Sequence, residues 1–125
     1  MNSINLKVKK FVRDKMGCKC PEEVFEHIEV EKNLKSGYVD IDYKINVGNR
    51  LLIYVVDGSR YGTEENTRNL ILAGVKERDD RNFNRFRLVL VDKEPDERKY
   101  WKFMKTIGLE RTHIHFLKKS DLFEL

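Results

Sequence analysis

The sequence predicts an α/β domain: a mixed central sheet of about five strands flanked by helices, in the order α-β-β-β-α-β-α-β. Three observations carry this reading. Val39, Ile41, Tyr43 and Ile45 alternate with Asp40, Asp42 and Lys44, the period of a half-buried strand. Leu51 to Val56 is apolar without alternation, as in a strand covered on both faces. A capped helical pattern then separates that run from the next apolar one, Phe86 to Val91, so the two strands are joined by a crossover and run parallel.

Each element has its own signal. Ser3 caps a first helix over about residues 4 to 16, in which Ile4, Val8, Phe11, Val12 and Met16 recur at helical spacing and Gly17 ends it. Residues 21 to 32 fit both periods, and their later end reads as a strand. Gly48-Asn49 is a hairpin turn between the second and third strands. Ser59 to Gly62 reads as a loop, after which Thr63 caps a helix to about Arg78, with Glu64 and Glu65 in its first turn and Leu70, Ile71 and Val75 on its buried stripe. Pro95 opens a later helix that turns Tyr100, Phe103, Met104 and Ile107 inward and stops at Gly108. His113 to Leu117 is a last short strand, and Ser120 caps a final turn holding Leu122, Phe123 and Leu125.

Composition narrows the function classes. The 125 residues are 40% hydrophobic and 37% charged, enough apolar matter for one core under a strongly charged surface. A net charge of +4 favours anionic partners where the positive groups cluster. No apolar run approaches the roughly 18 residues of a membrane span, and the basic N-terminus lacks the apolar region of a secretory signal. Cys18 and Cys20 are too close for an easy disulfide and too few for zinc, which fits reduced thiols and a cytoplasmic location.

Asp40 and Asp42, two apart in a strand, are expected on one face. Paired carboxylates beside basic residues can hold Mg²⁺, and that ion can activate water against a phosphodiester. The plain alternative is the polar side of an edge strand. Arg60 after the third strand, Arg68 on the crossover helix and Lys76 further along it are the candidate phosphate contacts; Arg78, Arg81, Arg85 and Arg87 surround the following turn, and Lys99, Lys102 and Lys105 line the later helix.

The run GYVDIDYKINVGNRLLIYVVDGSRYG, with the ending IGLERTHIHFLKKSDLFEL, resembles the PD-(D/E)XK nucleases, particularly Mrr-like restriction enzymes and archaeal Holliday-junction resolvases. The resemblance implies a restriction-endonuclease-like fold, Mg²⁺, DNA as partner, and self-association, since such nucleases often work as dimers. It sets Asp40 or Asp42 in the place of the first metal-binding Asp. Tyr54 stands where the second acid belongs and Val56 where the Lys belongs, and neither can do that chemistry. Cleavage would need substitutes: Asp57, Glu29 or Glu31 as acid, with Asp42, Asp40 and Glu31 as the metal set, and Lys44 as the lysine. Two other readings stand beside it. His113-Ile114-His115 fits the metal-binding pair of HUH endonucleases, with Tyr100 as nucleophile. A catalytically inactive scaffold would instead bind a protein partner through Leu122, Phe123 and Leu125.

Overall fold

A computed structural model of the protein describes residues 3–17, 21–92 and 111–121. Helix α1 (Ser3–Asp14) leads through a short 3₁₀ turn (Glu22–Glu26) into strands β1 (Ile28–Ser36), β2 (Val39–Val47) and β3 (Leu51–Asp57). A one-turn helix α2 (Gly58–Tyr61) and the long helix α3 (Glu64–Asp80) cross to β4 (Arg85–Val91), and β5 (Thr112–Leu117) precedes a 3₁₀ turn (Lys119–Asp121). The five strands form one mixed sheet in chain order, β1-β2-β3-β4-β5. The first three run antiparallel, and β4 and β5 lie parallel to β3. The α/β class and the strand order are those the sequence predicts. The helix expected after Pro95, the two cysteines, Tyr100, and the terminal Leu122, Phe123 and Leu125 fall outside the described residues.

Local chemistry explains most boundaries. Lys15 and Met16 both return their N–H to the Phe11 carbonyl, and Gly17 leaves the helix at φ +64°, so α1 ends two residues before Met16 while Met16 still packs in the core. Gly48 and Asn49 both take positive φ, as a two-residue hairpin turn of the primed type requires, and Arg50 N–H closes it on the Val47 carbonyl. At Gly48 a side chain would also meet Val24 at 2.7 Å. Thr63 caps α3 by accepting the Asn66 N–H. The segment read as a loop, Ser59 to Gly62, is largely helix α2, because the Asp57 carboxylate accepts the N–H groups of Ser59 and Arg60 and starts a turn there.

Each sheet face carries its own core. On one face α1 and the first 3₁₀ turn bring Val8, Phe11, Val12, Met16, Val24 and Phe25 against Ile45, Val47, Leu51, Ile53, Val55 and Val89. On the other, Leu70 and Ile71 of α3 press on Leu52, Tyr54, Val56, Phe86, Leu88 and Leu90. β3 feeds both, which is why it shows no alternation. Burying Leu70 and Ile71 contributes about 1.5–3 kcal/mol each, more than the modest propensity differences along α3.

The β1–β2 hairpin changes face midway. Ile28, Val30, Tyr43, Ile45 and Val47 belong with the α1 side, whereas Leu34, Val39 and Ile41 belong with the α3 side. All lie at alternate positions of their strands, so the alternation reverses at Asn33 and Asp42. There the ladder pairs Lys32 with Tyr43 and Leu34 with Ile41 but skips the residues between, and Asn33 has φ 56°. The β2–β3 ladder ends at the same level, at Tyr43 and Val55, so the free end of the hairpin can coil over α3.

Candidate functional site

Two sets of polar residues emerge where the sequence offers one. The first lies at the C-terminal end of β3. Asp57 accepts hydrogen bonds from the Ser59 N–H, the Ser59 hydroxyl (2.6 Å) and the Arg60 N–H. Tyr61 donates its hydroxyl to Asp40 at 2.9 Å, and the Arg60 guanidinium stands 3.9 Å from the same carboxylate and over the Tyr61 ring. Asp42 is exposed, and its carboxyl is pushed above the ordinary range, first by partial burial and then by the negative charges of Asp57 and Asp40. Asp42 therefore senses both of the other acids. Because the alternation reverses at Asp42, two-residue spacing alone does not put Asp40 and Asp42 on one face.

The second set lies under the C-terminal half of α3. Tyr54, 4% exposed, donates to Glu77 at 2.6 Å and sets its ring edge-on to Phe86. Lys44 pairs with Glu77 at 2.8 Å and reaches Glu31 at 3.7 Å. Arg81 bridges Glu77 and Glu29, and Asn46 donates to Glu29. Burial works to raise the Glu77 carboxyl, but the hydrogen bonds from Lys44, Tyr54 and Arg81 outweigh it and hold the group below its usual range. Burial and the same Glu77 bond drive the Tyr54 phenol upward, so it stays a donor. A groove of about 380 Å³ beside this network is lined by Leu34, Lys35, Ile41, Lys44, Lys76 and Glu77 among others.

The residues weighed for catalysis thus divide. Asp40, Asp42 and Asp57 share the end of β3 with Arg60 and Tyr61. Glu29, Glu31 and Lys44 belong to the Tyr54–Glu77 network. Val56 is 1% exposed, and its side chain belongs to the α3 core. Among the described residues no three His, Cys, Asp or Glu side chains gather closely enough to hold a metal ion. Of the phosphate candidates, the Arg60 side chain is 69% exposed, Arg68 is exposed on α3, and Lys76 is exposed and pairs with Asp80 one turn on.

His113 and His115 do share a face, and Arg87 of the adjacent β4 stands beside them. Arg87 Nη1 lies 3.0 Å from His115 Nε2, which places a cation at the ring nitrogen a metal would need. Burial, then Arg87, then His113 depress the His115 imidazole to about 4. The sequence contained the signal for this arrangement: Arg85-Phe86-Arg87 and His113-Ile114-His115 each alternate, and pairing those strands in parallel puts four basic groups together.

No protein family, curated protein or solved structure matches this chain. No helix among the described residues is long and apolar enough to cross a membrane.

Proposed function

We propose that this chain is a nucleic-acid-binding domain of nuclease-like fold, with DNA as its partner, that holds the phosphate backbone without cutting it. One observation supports the reading above others: the groups offered for cleavage are engaged elsewhere, Asp57 as the cap of α2, Asp40 by Tyr61, and Lys44 by Glu77, while Arg60 is held outward at the end of β3. Arg60 and Arg68 then serve as sequence-independent phosphate contacts, backed by the net charge of +4. Binding of this kind is weak, roughly 10⁻⁴ to 10⁻⁶ M at physiological salt, and falls steeply as salt rises.

The test incubates the protein with single-stranded, duplex and branched DNA, and with RNA, in Mg²⁺, Mn²⁺ or EDTA. The expected result is salt-sensitive binding without cleavage, weakened when Arg60→Ala and Arg68→Ala are combined. Metal-dependent cutting that vanishes in Asp40→Ala and Asp42→Ala would overturn the non-cleaving part. Absence of binding at low salt would overturn the whole reading and leave the protein-binding scaffold.

A further inference from the structure

The face of β4 and β5 beside the end of α1 carries basic groups that no acid among the described residues pairs with. Arg85 and Arg87 alternate with Phe86 and Leu88, and His113 and His115 alternate with Ile114 and Phe116. Phe86, Leu88, Ile114 and Phe116 pack on the α3 side, so the four basic residues face the other way. The parallel register sets Arg87 beside His113 and Val89 beside His115.

Arg87 is the centre of the group. It is 7% exposed, and its Nη1 donates to the Met16 carbonyl at 3.1 Å and approaches His115 Nε2 at 3.0 Å. Its Nε is buried and has no hydrogen-bond partner among the described residues. A buried guanidinium ordinarily sits against a carboxylate, because an uncompensated buried charge costs several kcal/mol. The contacts seen for Arg87 are a neutral carbonyl and an imidazole. Its guanidinium is shifted below the usual range by burial and then by Arg85. His113 is held down by burial and then by Arg87 and Arg85. Among the described residues, the charges that shift Arg87, His113 and His115 are of their own sign.

A cation does not suit such a place. Metal binding at His113 and His115 would set a second positive ion against Arg87. An anion reverses every unfavourable term: it satisfies Nε, neutralises the guanidinium and allows the imidazoles to take protons. Arg87 offers the planar fork that matches tetrahedral or carboxylate oxyanions, and the exposed Arg85 and His113 give the group an opening to solvent.

We infer that Arg85, Arg87, His113 and His115 form an oxyanion site for a phosphate group, on the β4–β5 face beside the C-terminal end of α1. Arg87 pairs with Ile53 near the start of β3, whereas Asp57 pairs with Val91 at its far end, so this site is distinct from the Arg60 region and does not rest on the nucleic-acid reading.

The probe is inorganic phosphate, titrated into the full chain at constant ionic strength in place of chloride, with the imidazole resonances as readout. The protein has three histidines, and His27, hydrogen-bonded to Glu29 beside β1, is the internal control. His113 and His115 should shift together and saturate, with His27 unmoved. In Arg87→Met the half-saturating concentration should rise about tenfold or more, as expected on losing charge-assisted hydrogen bonds. Should that variant fail to fold, Arg85→Gln at its exposed position must still weaken the response. A flat response, a response shared by His27, or equal saturation in every variant that folds would overturn the site. A short DNA oligonucleotide added to the phosphate complex distinguishes sources: displacement assigns the site to a polynucleotide backbone, and retention assigns it to free phosphate or a small phosphorylated molecule.

Discussion

Replacing Gly74 by Ala tests the seat of α3 on the sheet, which fixes where Arg68 and Glu77 stand. In an exposed helix the change would stabilise by about 1 kcal/mol. Here an added Cβ would lie 2.1, 2.3 and 2.4 Å from Cζ, Cε1 and Cε2 of Phe86. Carbon atoms pack at about 3.5–4.0 Å, so ring or helix must move by more than an ångström. Phe86 is 0% exposed and braced edge-on by Tyr54 at 4.9 Å, so the ring has no vacant direction. Overpacking of this severity costs at or above the usual range of about 1–3 kcal/mol, and the propensity gain offsets only part of it. The expected net loss is about 2 kcal/mol, a fall in Tm of roughly 6–10 °C by calorimetry or thermal circular dichroism. Phe86→Leu should lower stability by itself, and the double variant should lose less than the two single losses combined, because the smaller side chain leaves room for the methyl group. A Gly74→Ala protein as stable as the parent, or more so, would refute the close seat of α3 and with it the geometry of the Tyr54–Glu77 set.

Three further outcomes follow from the same structure. Tyr54→Phe removes the donor to Glu77 but leaves Lys44 and Arg81, so urea unfolding should show a loss of about 1–2 kcal/mol; no loss would mean the hydroxyl bond is not formed. The His115 imidazole titrates near 4 when folded against 6.5 unfolded, so the unfolded chain takes up the proton first and stability should fall as pH drops from 6.5 towards 4. His115→Asn should flatten Tm over that window, and parallel curves for the two proteins would contradict it. The Asp42 carboxyl is raised when folded, so its charge opposes folding at neutral pH; this penalty fades as the pH falls through the raised value and is gone below the ordinary 3.8. Asp42→Asn should therefore raise Tm at pH 7 and converge with the parent in acid; a lower Tm at pH 7 would show the carboxylate has an unseen partner.

Elements ruled by local chemistry were legible from sequence. The Thr63 cap, the Gly48-Asn49 turn and the two-sided burial of β3 each follow from a few adjacent residues. What could not be read locally depends on distant pairing. Tyr54 read only as a residue in the place of the second acid, because the acceptor of its hydroxyl is 23 residues away. Alternation put Asp40 and Asp42 together, and both do stand at the end of β3, but the hairpin changes face at Asp42, where no residue type announces it, so spacing alone does not account for their meeting. Asp57 stood as a substitute for the missing acid; a carboxylate followed by Gly58-Ser59 is also a helix cap, and it accepts the N–H groups of Ser59 and Arg60. Arg87 looked like one surface cation among many, since burial is not a property of the sequence segment that carries it.

The order of the sheet has a kinetic meaning. Because the strands pair in the sequence in which they are synthesised, each one emerging from the ribosome meets a neighbour already in place, and β1 to β4 need no segment still to come. The exception is the strand bearing His113 and His115. It is made after β4, and Arg87 is covered on that side only once it docks, so until then a nascent chain carries that guanidinium more open to solvent.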